Sequence, residues 1–116
     1  MVSYTNSLGI ELQVTGTNSG TWGPKTNNNF ELFEQAIAGF QDVSIAGGAQ
    51  TTALAMSDAT ISNARNAVIK LSGTITGNQI VTIPNSIEKV YIISNETSGA
   101  YTVQFKYVSG TGYTFA

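Results

Sequence analysis

Apolar and polar residues alternate in several short runs along this chain, and most of these runs lie in its second half. Near the start, residues 8–14 (LGIELQV) place four apolar side chains on one face of a predicted strand. Later runs follow the same pattern and are separated by turn-forming residues: AVIKLSGTI, QIVTIP, IEKVYIIS, YTVQFKYV and GYTF. Strands at intervals of about ten to twelve residues, with no helix between them, predict a small antiparallel β-sandwich.

A different spacing of apolar residues occurs before residue 40. Phe30, Phe33 and Ile37 recur at helical intervals, so the segment NFELFEQAIAGF predicts a short helix that ends at Gly39. A helix of about ten residues is marginal in isolation. Its apolar face is therefore expected to be covered by another surface.

The segment before this helix has the composition of a long loop. Residues 15–29 hold four Asn, three Gly and one Pro, with the large ring of Trp22 among them. The cluster Asn27 to Asn29 is expected to cap the helix, and Glu31 and Glu34 to lie in its first turns, where the helix dipole favours acids. The Trp22 ring is expected to be buried, either beneath its own arm or against another subunit.

These patterns divide the chain into two parts and give a mainly β fold class. Residues 1–46 form an N-terminal arm of strand, loop, short helix and strand, and residues 47–116 form an antiparallel β module. Residues 57–67 are expected to be a loop or a single helical turn. Neither part buries much surface alone, so we expect stability to depend on a partner or on further copies of the chain.

The composition excludes several classes of function. Charged residues make up 10% of the 116 residues, and neither Cys nor His is present. Disulfides, thiolate metal sites, cysteine nucleophiles and histidine bases are therefore excluded. A net charge of -2 with five isolated cations argues against nucleic acid as a partner. The sequence predicts no secretory signal and no membrane-spanning segment.

Two polar motifs have some features of a binding site, but neither fits one fully. The segment GTWGPKT is like a phosphate-binding loop in its Lys25-Thr26 pair, but Pro24 replaces the glycine whose N–H would contact phosphate. Glu31 and Glu34 share a helical face without a third acid nearby, which favours a dipole role over a metal site. No cofactor and no metal are expected, and no catalysis, because hydroxyl nucleophiles lack a base.

Two longer segments resemble proteins of one kind. The stretch GTNSGTWGPKTNNNFELFEQAIAGF is similar to the opening of tail-fibre and related tail structural proteins of tailed bacteriophages. The stretch ARNAVIKLSGTITGNQIVTIPNSIEKVYIISNETSGAYTVQFKYVSGTG resembles the β module that follows in those proteins. Because such proteins commonly continue beyond this point, the chain is expected to be the attachment end of a longer fibre.

The resemblance implies a homotrimeric component of the virion, located in the phage tail, whose N-terminal arm docks on the tail, baseplate or an adaptor protein. More distal regions would meet host surface glycans. The candidate interface residues lie in the arm: Trp22, Asn27, Asn29, Phe30, Phe33 and Ile37. Two alternatives remain open, namely a capsid decoration or head-fibre protein, and a carbohydrate-binding module that uses Tyr101 or Tyr113.

Overall fold

The computed structural model describes residues 3–16 and 18–115, and these residues form a mainly β structure with one α-helix. The helix α1 spans Trp22–Ala38, and a single 3-10 turn spans Asn63–Arg65. The strands are β1 Ser3–Tyr4, β2 Glu11–Leu12, β3 Phe40–Ser44, β4 Gln50–Ala53, β5 Val68–Thr74, β6 Gln79–Ile83, β7 Ile92–Ser98, β8 Val103–Tyr107 and β9 Gly112–Phe115.

Consecutive strands from β3 to β8 alternate between two sheets. One sheet has the order β3-β5-β7, and the other has the order β4-β6-β8-β9. Every pair in these sheets is parallel except β8–β9, which is antiparallel. The chain therefore winds as a coil of three turns, and each turn contributes one strand to each sheet.

This topology corrects the predicted antiparallel sandwich. The segment TGN, expected to be a hairpin turn, is a corner at which the chain passes from one sheet to the other, and most of NETSG belongs to strand β7. A strand then pairs with the strand one full turn away rather than with its neighbour in sequence. Alternation along a strand is the same in both arrangements, so it does not distinguish them. β3, which the sequence analysis assigns to the arm, is the first strand of the coil.

The hydrophobic core lies between the two sheets. Ile69 and Leu71 of β5 face Val81 and Ile83 of β6, and all four belong to one buried cluster that includes Val103 of β8. Burying each aliphatic side chain contributes about 1.5–3 kcal/mol. Lys70 and Ser72 of β5 alternate with these residues and lie on the outer face, whereas the polar Gln79 of β6 is buried.

The corners of the coil are held by a glycine and an amide. Gly99 has a φ of 123°, and a Cβ at this position would lie 2.3 Å from the Ile75 carbonyl oxygen, so only glycine fits between the turns. The buried Gln79 donates from Nε2 to the carbonyl oxygens of Gly47, Gly48 and Gly77 at 2.8–3.1 Å. Successive corners are thereby joined.

Helix α1 begins seven residues before the predicted segment NFELFEQAIAGF. Pro24 is tolerated in its first turn because the N–H groups there have no intrahelical partner. The predicted cap by Asn27 to Asn29 is wrong, since these residues lie inside the helix. The predicted end at Gly39 is confirmed, where the Gly39 N–H donates to the Gln35 carbonyl oxygen at 2.9 Å.

The predicted first strand over residues 8–14 is reduced to the two residues of β2, which pair with β1. The chain turns sharply here: Gly9 has a φ of 67°, and the Thr5 N–H donates to the Ile10 carbonyl oxygen at 2.8 Å. As a result Ile10 is buried, whereas Leu12 and Val14 are exposed.

The described residues form a rod rather than a sphere, with extents of 56 × 24 × 20 Å. The radius of gyration is 16.5 Å, compared with about 13 Å for a compact domain of this length. Among the described residues, no helix has both the length and the apolar character that crossing a membrane requires.

Candidate interaction surface

Helix α1 turns a mainly polar face toward the rest of the chain. Asn29 accepts from the Glu11 N–H at 3.1 Å and donates to the Glu11 carbonyl oxygen at 2.9 Å. Asn28 donates to the Ala59 carbonyl oxygen at 2.9 Å. Lys25 lies 3.6 Å from the buried Glu11 carboxylate. Leu32 is the one buried apolar residue of the helix. The helix is therefore attached to the chain largely through hydrogen bonds.

Arg65, at the end of the 3-10 turn, extends this polar attachment. Its buried guanidinium donates to the carbonyl oxygens of Leu8 at 2.8 Å, Ser57 at 2.6 Å and Thr60, and to Gln35 Oε1 of α1 at 3.3 Å. Burial lowers the pKa of Arg65, and the charge of nearby Asp58 opposes that shift. The role of Arg65 could not be predicted from the sequence, because one arginine in an irregular segment carries no pattern.

A separate face of α1 carries large apolar side chains that the described chain leaves uncovered. The exposed fractions are 64% for Trp22, 61% for Phe30, 41% for Phe33 and 78% for Ile37. These four residues are called the apolar stripe. Trp22 is not covered by its own arm, so the first of the two possibilities raised from the sequence is wrong.

The apolar stripe is followed directly by an apolar column on the outer face of the coil. Phe40, two residues after the helix, is 60% exposed and stands at the head of this column. In the parallel register Phe40 lies beside Val68, and Val68 lies beside Ile92, which is also exposed. Outward positions of a sheet are normally polar. An apolar column at this position is typical of a contact surface.

The stripe and Phe40 together expose on the order of 600 Å², taking roughly 200 Å² for each large side chain. The largest apolar patch on a typical monomer is about 300–600 Å², and patches of this size are commonly binding sites. The exposed apolar area of the stripe and Phe40 therefore lies at the upper end of this range, where binding sites are common.

Glu31 and Glu34 lie in the middle of α1 rather than in its first turns, so the predicted dipole role is wrong. With Ala38, Phe40 and Ile61 they line an open groove of about 550 Å³. The described residues contain no group of three acids that would hold a metal ion. The two carboxylates instead give one flank of the helix a negative charge.

The predicted interface residues do not all share one face. Trp22, Phe30, Phe33 and Ile37 form the apolar stripe. Asn27 is exposed, whereas the Asn29 amide is engaged with the Glu11 backbone within the chain. The Asn29 side chain therefore attaches the helix to its own chain.

Four of the five tyrosines fall into two groups. Tyr91 and Tyr107 donate their hydroxyl hydrogens to the carbonyl oxygens of Ala64 and Ile87. Burial raises the pKa of Tyr91, the charge of Tyr107 raises it further, and Arg65 opposes the shift. Tyr101 and Tyr113 are exposed, so these two rings are available for contacts outside the chain.

Comparison with known proteins adds no relative: no family model, no curated protein and no solved structure matches this chain.

Proposed function

We propose that this protein is a structural component of a phage virion, the attachment end of a tail fibre, and that it acts as a homotrimer without catalysis or a cofactor. The observation that carries the proposal is the apolar stripe of α1. A helix that directs amides inward and aromatic rings outward supports a role in which other chains cover the rings.

The spacing of the stripe favours contact between like helices. Phe30, Phe33 and Ile37 are separated by three and four residues, the interval of a coiled-coil seam. A helix of 17 residues is too short to associate strongly through such a seam alone. The apolar column that follows the stripe supplies further area. Three helices around one axis would bury both surfaces.

The association is tested with the double variant Phe33→Ser and Ile37→Ser. The wild-type chain is expected to sediment as a trimer at micromolar concentration, and the double variant as a monomer. Both residues are exposed in the single chain, so the variant should keep the circular dichroism spectrum of the wild type. The matched control is Glu34→Gln on the neighbouring flank of α1, which should remain a trimer.

A wild-type chain that stays monomeric at all accessible concentrations contradicts the homotrimer. A double variant that associates as strongly as the wild type shows that the trimer uses another surface.

The place of the protein in the virion requires a separate measurement. Antibodies against the chain are expected to label the tail in negatively stained particles, at a site with threefold or sixfold copy number. Labelling distributed over the head instead supports the alternative of a capsid decoration or head-fibre protein.

A carbohydrate-binding role is the second candidate, and the exposed ring of Tyr113 favours it. Glycan-array screening of the purified chain tests this role. Binding of a defined sugar that disappears in Tyr113→Ala, while the trimer persists, would assign host attachment to the β module itself. A blank array leaves the structural role as the preferred function.

A further inference from the structure

The two sheets of the coil have unequal numbers of strands. The first sheet ends at β7 after three strands, whereas the second continues to a fourth strand, β9, which pairs with β8. On its outer side, β7 has no strand partner among the described residues. The rod therefore ends in a step that is one strand deep.

The backbone register shows which groups of β7 point into this step. The Ile92 N–H donates to the Ala67 carbonyl oxygen, and the Ile75 N–H donates to the Ser98 carbonyl oxygen. Even-numbered residues of β7 therefore pair with β5 and its flanks, and the peptide groups of Ile93, Asn95 and Thr97 point to the free edge. The Thr97 N–H is engaged by Asn95 Oδ1 at 3.3 Å. The Ile93 and Asn95 N–H groups remain directed outward.

The side chains of β9 face the same step. Tyr113 lies beside Phe105 and Phe115 beside the buried Val103, so both rings are on the core face of the sheet. Phe115 contacts the core and lies 5.0 Å from Tyr113 between ring centroids. Tyr113 nevertheless remains 70% exposed, because no strand stands opposite it in the first sheet.

We propose that this step is a strand-acceptor site, filled by one extended peptide segment of a partner protein that adds to the edge of β7. The segment would pair its backbone with Ile93 and Asn95. It would carry apolar side chains at alternate positions, directed toward Tyr113 and Phe115, and polar side chains outside. Its outer face would suit a cation, because Glu96 is exposed on the outer face of β7.

The depth of the step argues for a single strand rather than a second copy stacked end to end. A stacked copy would present β3 and β4 together, at equal height in the two sheets. β9 already occupies the fourth position of the second sheet, so a second copy would meet a mismatch of one strand. A single strand extends the existing β5–β7 ladder and leaves β9 in place.

A fluorescent peptide with the sequence of β5, VIKLSGT, serves as the probe. It carries Ile and Leu on one face and Lys on the other, as the site requires. In amide exchange measured by NMR, adding the peptide should slow exchange at Ile93 and Asn95 at least tenfold, with no comparable change along α1. Absence of protection at these two amides up to millimolar peptide overturns the proposal.

Backbone pairing is tested first with substitutions in this protein. Asn95→Pro removes an N–H that β5 does not use, so it should weaken peptide binding at least tenfold, whereas Asn95→Thr should bind as the wild type does. Tyr113→Ala should weaken binding about threefold or more. Equal binding by the Pro and Thr variants contradicts the site.

Changes to the peptide give a second test, which does not depend on whether a variant of the protein folds. Two versions of the probe are N-methylated on alternate sets of amides. A strand that joins β7 uses one set only, so one version should fail to bind and the other should bind normally. If both versions bind equally, the peptide is held by its side chains and the proposal is wrong.

Discussion

The coil and the helical arm place their apolar and polar side chains in opposite ways. In the coil, aliphatic side chains such as Leu71 and Val81 are enclosed between the sheets, and polar side chains such as Lys70 lie on the outer face. In the arm, Asn29 is turned inward, and Phe30 and Ile37 are turned outward. The coil encloses an apolar core of its own, although Phe40 and Ile92 stay exposed on its outer face, whereas the arm leaves most of its large apolar side chains uncovered.

The difference shows which interactions hold each part of the molecule in place within a single chain. Burial of apolar surface between the two sheets stabilises the coil. Hydrogen bonds hold the helix against the coil, and each contributes about 1 kcal/mol net, so this attachment is modest but specific in direction. Polar anchoring keeps α1 in one orientation and leaves its rings available. Four experiments test this contrast.

The largest effect is expected at Arg65, where the arm depends on one buried charge. Arg65→Met removes donors from three backbone carbonyl oxygens and from Gln35, and should lower the free energy of unfolding by about 4 kcal/mol. Urea unfolding measures the loss. Arg65→Lys keeps the charge with fewer donors and should fall between Met and the wild type. A loss below about 1 kcal/mol for Met would show that the polar anchor is dispensable.

A matched pair of substitutions compares the two kinds of apolar residue. Leu71→Ala leaves a cavity in the core and should cost about 3 kcal/mol. Phe30→Ala removes a larger side chain from an exposed position and should change monomer stability by less than about 0.5 kcal/mol. Urea unfolding of dilute samples gives both values. Equal costs would mean that the apolar stripe packs against its own chain.

A smaller effect separates two neighbouring asparagines. Asn29→Ala loses both hydrogen bonds to Glu11 and should cost about 1–2 kcal/mol. Asn27→Ala, at an exposed position of the same helix, should cost less than about 0.5 kcal/mol. Thermal unfolding followed by circular dichroism resolves the difference. If Asn27 proves the more costly of the two, the assignment of faces on α1 is wrong.

The smallest effect is a pH dependence at Tyr91. Burial first, and the charge of Tyr107 second, raise the pKa of Tyr91 above its usual value near 10. The folded chain then holds this proton to higher pH than the unfolded chain does, so its contribution to stability is complete below pH 10 and is lost as pH rises above 10.

The matched variant is Tyr91→Phe, which cannot titrate. At neutral pH it should be less stable by about 1 kcal/mol, because the hydrogen bond to Ala64 is lost. Above pH 10 the gap should narrow, as only the wild type loses stability. Urea unfolding midpoints from pH 8 to pH 11 measure it. A gap that is constant over this range contradicts the assignment.

The positions of most strands in the second half of the chain were predictable, but their pairing was not. Alternating runs such as QIVTIP and YTVQFKYV correspond to β6 and β8 because one face of each strand is buried. The register between them depends on corners that contribute little pattern of their own. Short Gly- and Asn-containing segments suit a hairpin turn and a corner equally well.

In the arm, the spacing of the apolar stripe could be predicted from the sequence, but the contacts of helix α1 could not. The spacing of Phe30, Phe33 and Ile37 correctly indicates a helix, but the same spacing occurs in buried and exposed faces. The start of α1 was missed because Gly, Pro and Asn have low helix propensity. Hydrogen bonds from Asn28 and Asn29 to distant backbone overcome that preference, and such contacts cannot be read from local sequence.

The last two turns of the coil are separated by the same number of residues in both sheets. Val68 lies opposite Ile92, and Gln79 lies opposite Val103, so both sheets repeat after 24 residues at this step. Duplicating residues 68–91 in tandem would therefore add one complete turn without disturbing either ladder. Each added turn would lengthen the rod by about 4.8 Å, the distance between neighbouring strands. A gene that gains or loses this unit can set the length of the rod in fixed increments.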